Sequence, residues 1–290
     1  MMSPIGFIGL GLLGQAIALR LAREGFSLVV WNLEAERSAA LLLAGAAVAG
    51  SPAEVAERCE VICLCVIDGA AVREVLFGPH GIVAGARAPR TIVDFSTVTP
   101  EQTRDIAKEA EKHALSWIDA PISGGPVAAL AGELTVMAGG SPKDMEAVAP
   151  IFRATASRCT HVGGVGSGQE MKVINQALVG ATFVMLAEVM ALARKLGLPV
   201  GSIPACLEGG LADSVALQRV WPRMVSELFE PPTGRAGQML KDLKNVDTLR
   251  EVSGLELPLV QSAIAQYAAY VEQRSGANCE TISITRLYQD

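Results

Sequence analysis

Three glycines, Gly9, Gly11 and Gly14, stand in the order G-x-G-x-x-G between the apolar run "IGFI" and the helix-like "QAIALRLAREGF". A second strand-like run, "SLVVWN", ends about twenty residues on, which is the arrangement of a dinucleotide-binding unit. Gly9 would permit the tight turn, Gly11 the approach of a pyrophosphate to the backbone, and Gly14 close packing of helix on strand. The helix N-terminus adds unpaired N–H groups and a partial positive charge. A second constellation is Ser123-Gly124-Gly125 in "DAPISGG". A hydroxyl and exposed backbone N–H groups ahead of a helix could bind a carboxylate there. A third is "KVINQ", where Lys172, Asn175 and Gln176 fall at i, i+3 and i+4 and share one helix face among apolar neighbours. Taken alone, a lysine on a helix face is more often a solvated charge than a reagent.

The elements that must position these residues follow from periodicity. In the first half, short apolar runs ("IGFIGLG", "SLVVWN", "VICLCVI", "TIVDFS", "SWIDAPIS", "LTVMAGG") alternate with amphipathic segments ("EAERSAALLLAGA", "GAAVREVLF", "PEQTRDIAKEAEKHA"). That pattern predicts a mostly parallel sheet covered by helices on both faces, a doubly wound α/β domain of the Rossmann type. From about Gly168 the pattern turns helical. "GQEMKVINQALVGATFVMLAEVMALARKLG" has one internal glycine, Gly180, and no proline. At ~1.5 Å per residue it predicts a helix roughly 45 Å long that leaves one domain and runs through the core of the next. Helical segments over 202–211, 214–229, 237–254 and 258–274 complete an all-α C-terminal part. The expected domains are 1–164 and 165–290, with a glycine-rich hinge in "HVGGVGSG".

Composition narrows the function. A net charge of -6 argues against nucleic acid or an anionic membrane as partner. Six scattered cysteines without a CxxC pair, and three dispersed histidines, offer no metal cluster and no Ser-His-Asp triad. The start "MMSPIGFIGLG" has no basic n-region or small-residue cleavage site, so the expectation is a cytoplasmic protein. Glu188 interrupts the apolar stretch 177–193, which reads as a buried core helix.

G-x-G-x-x-G, "DAPISGG", "GSGQEMKVINQ" and "KDL" at 241–243, in that order, together resemble the β-hydroxyacid dehydrogenases over nearly the whole chain. That family includes 3-hydroxyisobutyrate dehydrogenases, tartronate semialdehyde reductases and glyoxylate/succinic semialdehyde reductases. The resemblance implies a Rossmann-type domain joined by a long helix to an all-helical domain. It implies hydride exchange between NAD or NADP and a small 3-hydroxyacid or its semialdehyde. Lys172 would be the catalytic acid/base, taking the hydroxyl proton and returning it; burial lowers a lysine's pKa toward working pH. Ser123, Gly124 and Gly125 would hold the substrate carboxylate, with Asn175 and Gln176 beside Lys172. The cofactor would rest on Gly9, Gly11, Leu12, Leu13 and Gly14, on Asn32 and Leu33, and on Val66 and Ile67. Ser96 and Thr97 would lie near the nicotinamide, and Lys241 would approach from the helical domain. A homodimer or homotetramer is implied as well.

Several positions depart from the family pattern. Leu13 replaces a methionine, and no proline stands near Ile67. The phenylalanine about seven residues ahead of Lys241 is missing near Gly234, next to Arg235. At the end of the second strand Asn32 stands where NAD-preferring members carry Asp, and Leu33 where NADP-preferring members carry Arg. Asn32 can bond a ribose hydroxyl, and Glu34 should repel a 2′-phosphate while Arg37 could compensate. The choice leans to NAD. Two competing readings stand beside this one. An imine reductase would carry Asp or Tyr in place of Lys172, and a non-catalytic nucleotide-binding module would not need the acid/base residues.

Overall fold

The computed structural model describes residues 3–87 and 89–289. The chain divides into two compact units, Met1–Lys172 and Val173–Asp290.

The first unit opens with β1 (Ile5–Ile8), α1 (Leu12–Arg23) and β2 (Leu28–Trp31). A 3-10 turn at Ala35–Ser38 leads into the short α2 (Ala39–Leu43), β3 (Ala47–Val48) and α3 (Pro52–Arg58). Then come β4 (Val61–Leu64), α4 (Gly69–Phe77), α5 (Ile82–Gly85), β5 (Arg90–Asp94), α6 (Pro100–Glu111) and β6 (Leu115–Asp119). The unit continues with β7 (Ile122–Ser123), α7 (Gly125–Ala131), β8 (Leu134–Gly139), α8 (Pro142–Thr155) and β9 (Ala156–Gly163). The strands lie in the order β3-β2-β1-β4-β5-β6-β8-β7, with β9 on β8. Pairing is parallel from β3 through β6; β8 runs antiparallel to β6 and β7, and β9 parallel to β8. The strand order reverses direction between β1 and β4, so a crevice opens at the C-terminal ends of these strands.

Strand alternation builds two cores, one on each face. Phe7, Val30, Val93 and Phe95 pack with Ile17 and Phe152 on one side. Ile8, Ile62, Leu64 and Ile92 pack with Val72 and Trp117 on the other. Fully buried neighbours pointing to opposite faces explain why these strands read as unbroken apolar runs.

Five elements are absent from the sequence expectation: β3, α3, α5, α8 and β9. α3 and α8 are started by serines: Ser51 and Ser141 accept from the backbone N–H of Glu54 and Asp144, each with a proline in the first turn. The edge strand β9 is mostly exposed and polar, so it lacks an apolar signature and takes in the start of the expected hinge. The helix expected over 34–46 is instead a 3-10 turn and one short α-helical stretch.

α9 (Ser167–Lys195) runs for 29 residues, starting in the first unit and continuing through the second. In the second unit α10 (Ile203–Leu207), α11 (Val215–Val225), α12 (Ala236–Ser253) and α13 (Pro258–Gln273) follow, and 3-10 turns close the chain. Val184, Leu243, Tyr267 and Tyr270 form the main core, and Met190, Trp221, Met224 and Phe229 a second cluster. A Cβ at Gly180 would meet the Leu243 side chain at 2.7 Å, so this glycine lets α12 approach α9 closely. α9 is not buried all round, as its sequence suggests. One face packs in the core; Ile174, Leu178, Met185 and Leu192 on another are exposed.

Candidate active site

The turn between β1 and α1 is shaped by what cannot fit there. Gly9 has a φ of 95°, and an added Cβ would meet the Cys65 carbonyl oxygen at 2.3 Å. A Cβ on Gly14 would meet the Gly9 oxygen at 2.0 Å. Gly11, by contrast, has nothing within 4 Å of the same position. Gly11 is also the N-cap of α1, and its first turn has no side-chain cap and no acidic residue. The result is a bare helix N-terminus facing open space, which suits the pyrophosphate of NAD or NADP. Leu12 is exposed, while Leu13 packs against the core behind the turn.

The neighbouring strand ends are tied to this turn. Asn32 Oδ1 accepts from Leu10 N (2.7 Å), and Asn32 Nδ2 donates to the Glu34 carbonyl (3.1 Å) and carboxylate (2.8 Å). Leu33 and Ile67 turn into solvent. Val66 N donates to Ser96 Oγ (2.9 Å), and Ser96 N to Asp94 Oδ1 (2.9 Å), which joins the ends of β4 and β5. Ser96 is itself buried, and the next residue, Thr97, is half-buried.

Two residues outside the set expected from sequence hold the start of α9 in place. Gln169, fully buried, donates from Nε2 to Ser96 O (2.8 Å) and accepts at Oε1 from Val98 N (3.3 Å). Asp119, at the end of β6 and also fully buried, accepts from Gly166 N (2.7 Å) and Gln169 N (2.9 Å). Burial pushes the Asp119 carboxyl up from its ordinary value, against the backbone N–H groups of Gly166, Gln169 and Gly168 that favour its charge. One turn beyond Gln169 stands Lys172, the only buried lysine among the described residues at 7% exposure. No local signal marks Gln169, because its partners lie more than seventy positions away in sequence. Asp119 sits inside a motif already singled out, but its neighbours there do not reveal what it caps.

Ser123 ends β7 opposite Thr135 of β8. Gly124 and Gly125 follow with φ of 130° and 72°, left-handed backbone that glycine tolerates, and open α7. In the second unit, Asn175 Nδ2 donates to Gln176 Oε1, and Gln176 Nε2 to Asp242 Oδ2, both at 2.8 Å. Lys241 Nζ lies 3.5 Å from Asp242. Asn175 and Gln176 of "KVINQ" are therefore linked to Asp242 of "KDL" within that unit. Arg235 is exposed, with Nη1 3.5 Å from Asn278 Oδ1.

A doubly wound sheet with a glycine cradle at its switch point, followed by a helical unit, defines an NAD(P)-dependent oxidoreductase architecture. Residues 4–163 match the family model for the NAD binding domain of 6-phosphogluconate dehydrogenase. Residues 166–288 match the model described as NAD-binding of NADP-dependent 3-hydroxyisobutyrate dehydrogenase. An uncharacterized oxidoreductase of Bacillus subtilis is 33% identical, with 99% of each chain covered. The 2-hydroxy-3-oxopropionate reductase of Escherichia coli is 35% identical over 78% of this chain and 77% of its own length. A crystal structure of 3-hydroxyisobutyrate dehydrogenase from Salmonella typhimurium superposes with a TM-score of 0.89 at 27% identity, over 99% of this chain and 100% of the other. The chain belongs to the β-hydroxyacid dehydrogenase family and is an NAD(P)-dependent oxidoreductase.

Proposed function

We propose that the chain interconverts a small 3-hydroxyacid and the corresponding semialdehyde, with Lys172 as the acid/base. NAD(P), when bound on the glycine turn, supplies the hydride acceptor or donor. Lys172 takes the hydroxyl proton in the oxidative direction and returns it in the reductive one. Its ammonium form stabilises negative charge on the substrate oxygen. The Ser123 hydroxyl and the backbone N–H groups at Gly124 and Gly125 hold the substrate carboxylate. Asn175, with its amide steadied by Gln176, orients the substrate beside Lys172.

The observation that carries this reading is the burial of Lys172 one turn beyond Gln169, whose amide is bonded to the Ser96–Val98 backbone at the C-terminal edge of the sheet. A solvated surface lysine would be neither buried nor built onto that edge. Lysine at this place also separates the reading from an imine reductase. The reading further includes a soluble, cytoplasmic enzyme, domains divided near residues 164 and 165, and a homo-oligomer formed through the helical part.

The test is a set of initial rates at 340 nm with both cofactors against a panel of 3-hydroxyacids and semialdehydes. Lys172→Ala is expected to lose about 10²–10⁴-fold in kcat while still binding NADH. Near-normal turnover in that variant would remove Lys172 from the chemistry.

A further inference from the structure

The end of β2 is where a dinucleotide enzyme reads the adenosine ribose, through an acidic residue that accepts from the 2′-hydroxyl or an arginine that takes the 2′-phosphate. Asn32 occupies that place and is already engaged. Its carbonyl oxygen accepts from Leu10 N, and its amide donates to both the carbonyl and the carboxylate of Glu34. Its two principal contacts serve the turn and Glu34.

The Glu34 carboxylate is held from two sides. Asn32 Nδ2 donates to Oε2 at 2.8 Å, and Arg37 Nε lies 3.1 Å from the same oxygen. Arg37 is in turn fixed through its backbone, whose carbonyl accepts from Gln15 Nε2 of α1 at 3.0 Å. Both partners of the ion pair remain about half exposed, so a ligand in solvent can reach them. A carboxylate is thus delivered to the β2 end from two positions downstream, with Asn32 as its bracket.

We infer that Glu34, rather than Asn32, is the ribose acceptor of this enzyme and makes it select NAD over NADP. An ionised carboxylate accepts from a 2′-hydroxyl and repels a 2′-phosphate of nearly two negative charges. Arg37 is already paired with Glu34, so its charge is offset rather than spare for a phosphate. To turn to the phosphate it would leave Glu34 charged and still anchored by Asn32. The discrimination is electrostatic and at the surface, so it narrows as salt rises. The inference rests on the glycine turn being the dinucleotide site.

The test measures dissociation constants of NADH and NADPH by fluorescence, with the full-length protein and no substrate. Wild type is expected to bind NADH at least ~10-fold more tightly than NADPH at low salt, a difference of one decade in affinity. Glu34→Gln keeps the size and an acceptor oxygen, removes the charge and frees Arg37 for bidentate phosphate binding. It should tighten NADPH roughly 10-fold and change NADH by less than about threefold. Arg37→Ala should weaken NADPH further and leave NADH unchanged. Equal binding of the two cofactors by wild type, or an unchanged ratio in Glu34→Gln, overturns the inference while leaving the proposed activity standing. Failure of wild type to bind either cofactor removes the dinucleotide reading of the turn, and the inference with it.

Discussion

Asp119 shows how much of this site depends on residues that touch no substrate. Its two carboxylate oxygens accept from the backbone N–H groups of Gly166 and Gln169, which open α9 and would otherwise be orphaned in a dry setting. Asp119→Ala leaves two buried donors without partners, at a cost of about 2–4 kcal/mol. A lowered urea midpoint with an unchanged slope at neutral pH checks this. The pH dependence has a definite sign. Burial raises the folded-state value above the ordinary 3.8, so the folded chain holds the proton to higher pH than the unfolded one. The stability contributed by Asp119 therefore falls as pH rises through the acid range above 3.8, and the gap between wild type and variant should narrow in that direction. Glu34 makes the same point about sequence reading. The sequence places Asn32 at the strand end and Glu34 two residues on, but only side-chain geometry reveals that Asn32 and Arg37 both hold the Glu34 carboxylate.

The β1–α1 turn is the element most legible in the sequence, because steric exclusion leaves a mark in residue type. Its glycines do different work, and substitution should separate them. An alanine methyl at position 14 would collide with backbone at 2.0 Å, so Gly14→Ala should lower the melting temperature by several degrees as well as weaken cofactor binding. Gly11 has ordinary backbone, a φ of -63° and ψ of -178°, and open space around it. Gly11→Ala should melt like wild type yet bind NADH at least ~10-fold more weakly, since the methyl fills the space a pyrophosphate needs. Equal NADH affinity in Gly11→Ala would move the phosphate elsewhere. The parallel strands were readable for the same kind of reason, since burial on both faces demands continuous apolar runs. β9 escaped because an exposed edge strand needs no such composition. Gln169 escaped because the need it meets, the bare carbonyl of Ser96 and the N–H of Val98, exists only once the chain is folded.

At the scale of the molecule, α9 poses the remaining question. Its 29 residues are long and apolar enough, by composition, to cross a membrane, yet its inward face is committed to protein. Gly180 admits Leu243, and Gln176 donates to Asp242, contacts that a lipid-facing helix would forgo. The outward apolar residues Met171, Ile174, Leu178, Met185, Val189 and Leu192 fall at steps of three, four and, once, seven, and each is at least 37% exposed. That is the seam by which one helix packs along another at a shallow angle. Glu188, the charge that interrupts the stretch, accepts from the Tyr288 hydroxyl at 3.3 Å within the same chain. In the proposed homo-oligomer a second copy would cover this seam about a two-fold axis, the same stripe meeting itself. Burying each large side chain would contribute roughly 1.5–3 kcal/mol before the cost of association. Light scattering of wild type should give a mass at least twice the 30.3 kDa of one chain. Leu178→Glu combined with Val189→Glu places two carboxylates on the stripe of each copy, charges that would be costly to bury unpaired. Both positions are exposed in the isolated chain, so the double variant should keep its helical circular dichroism while its mass drops toward that of one chain. An unchanged oligomer mass would show that this face of α9 is not where the copies meet.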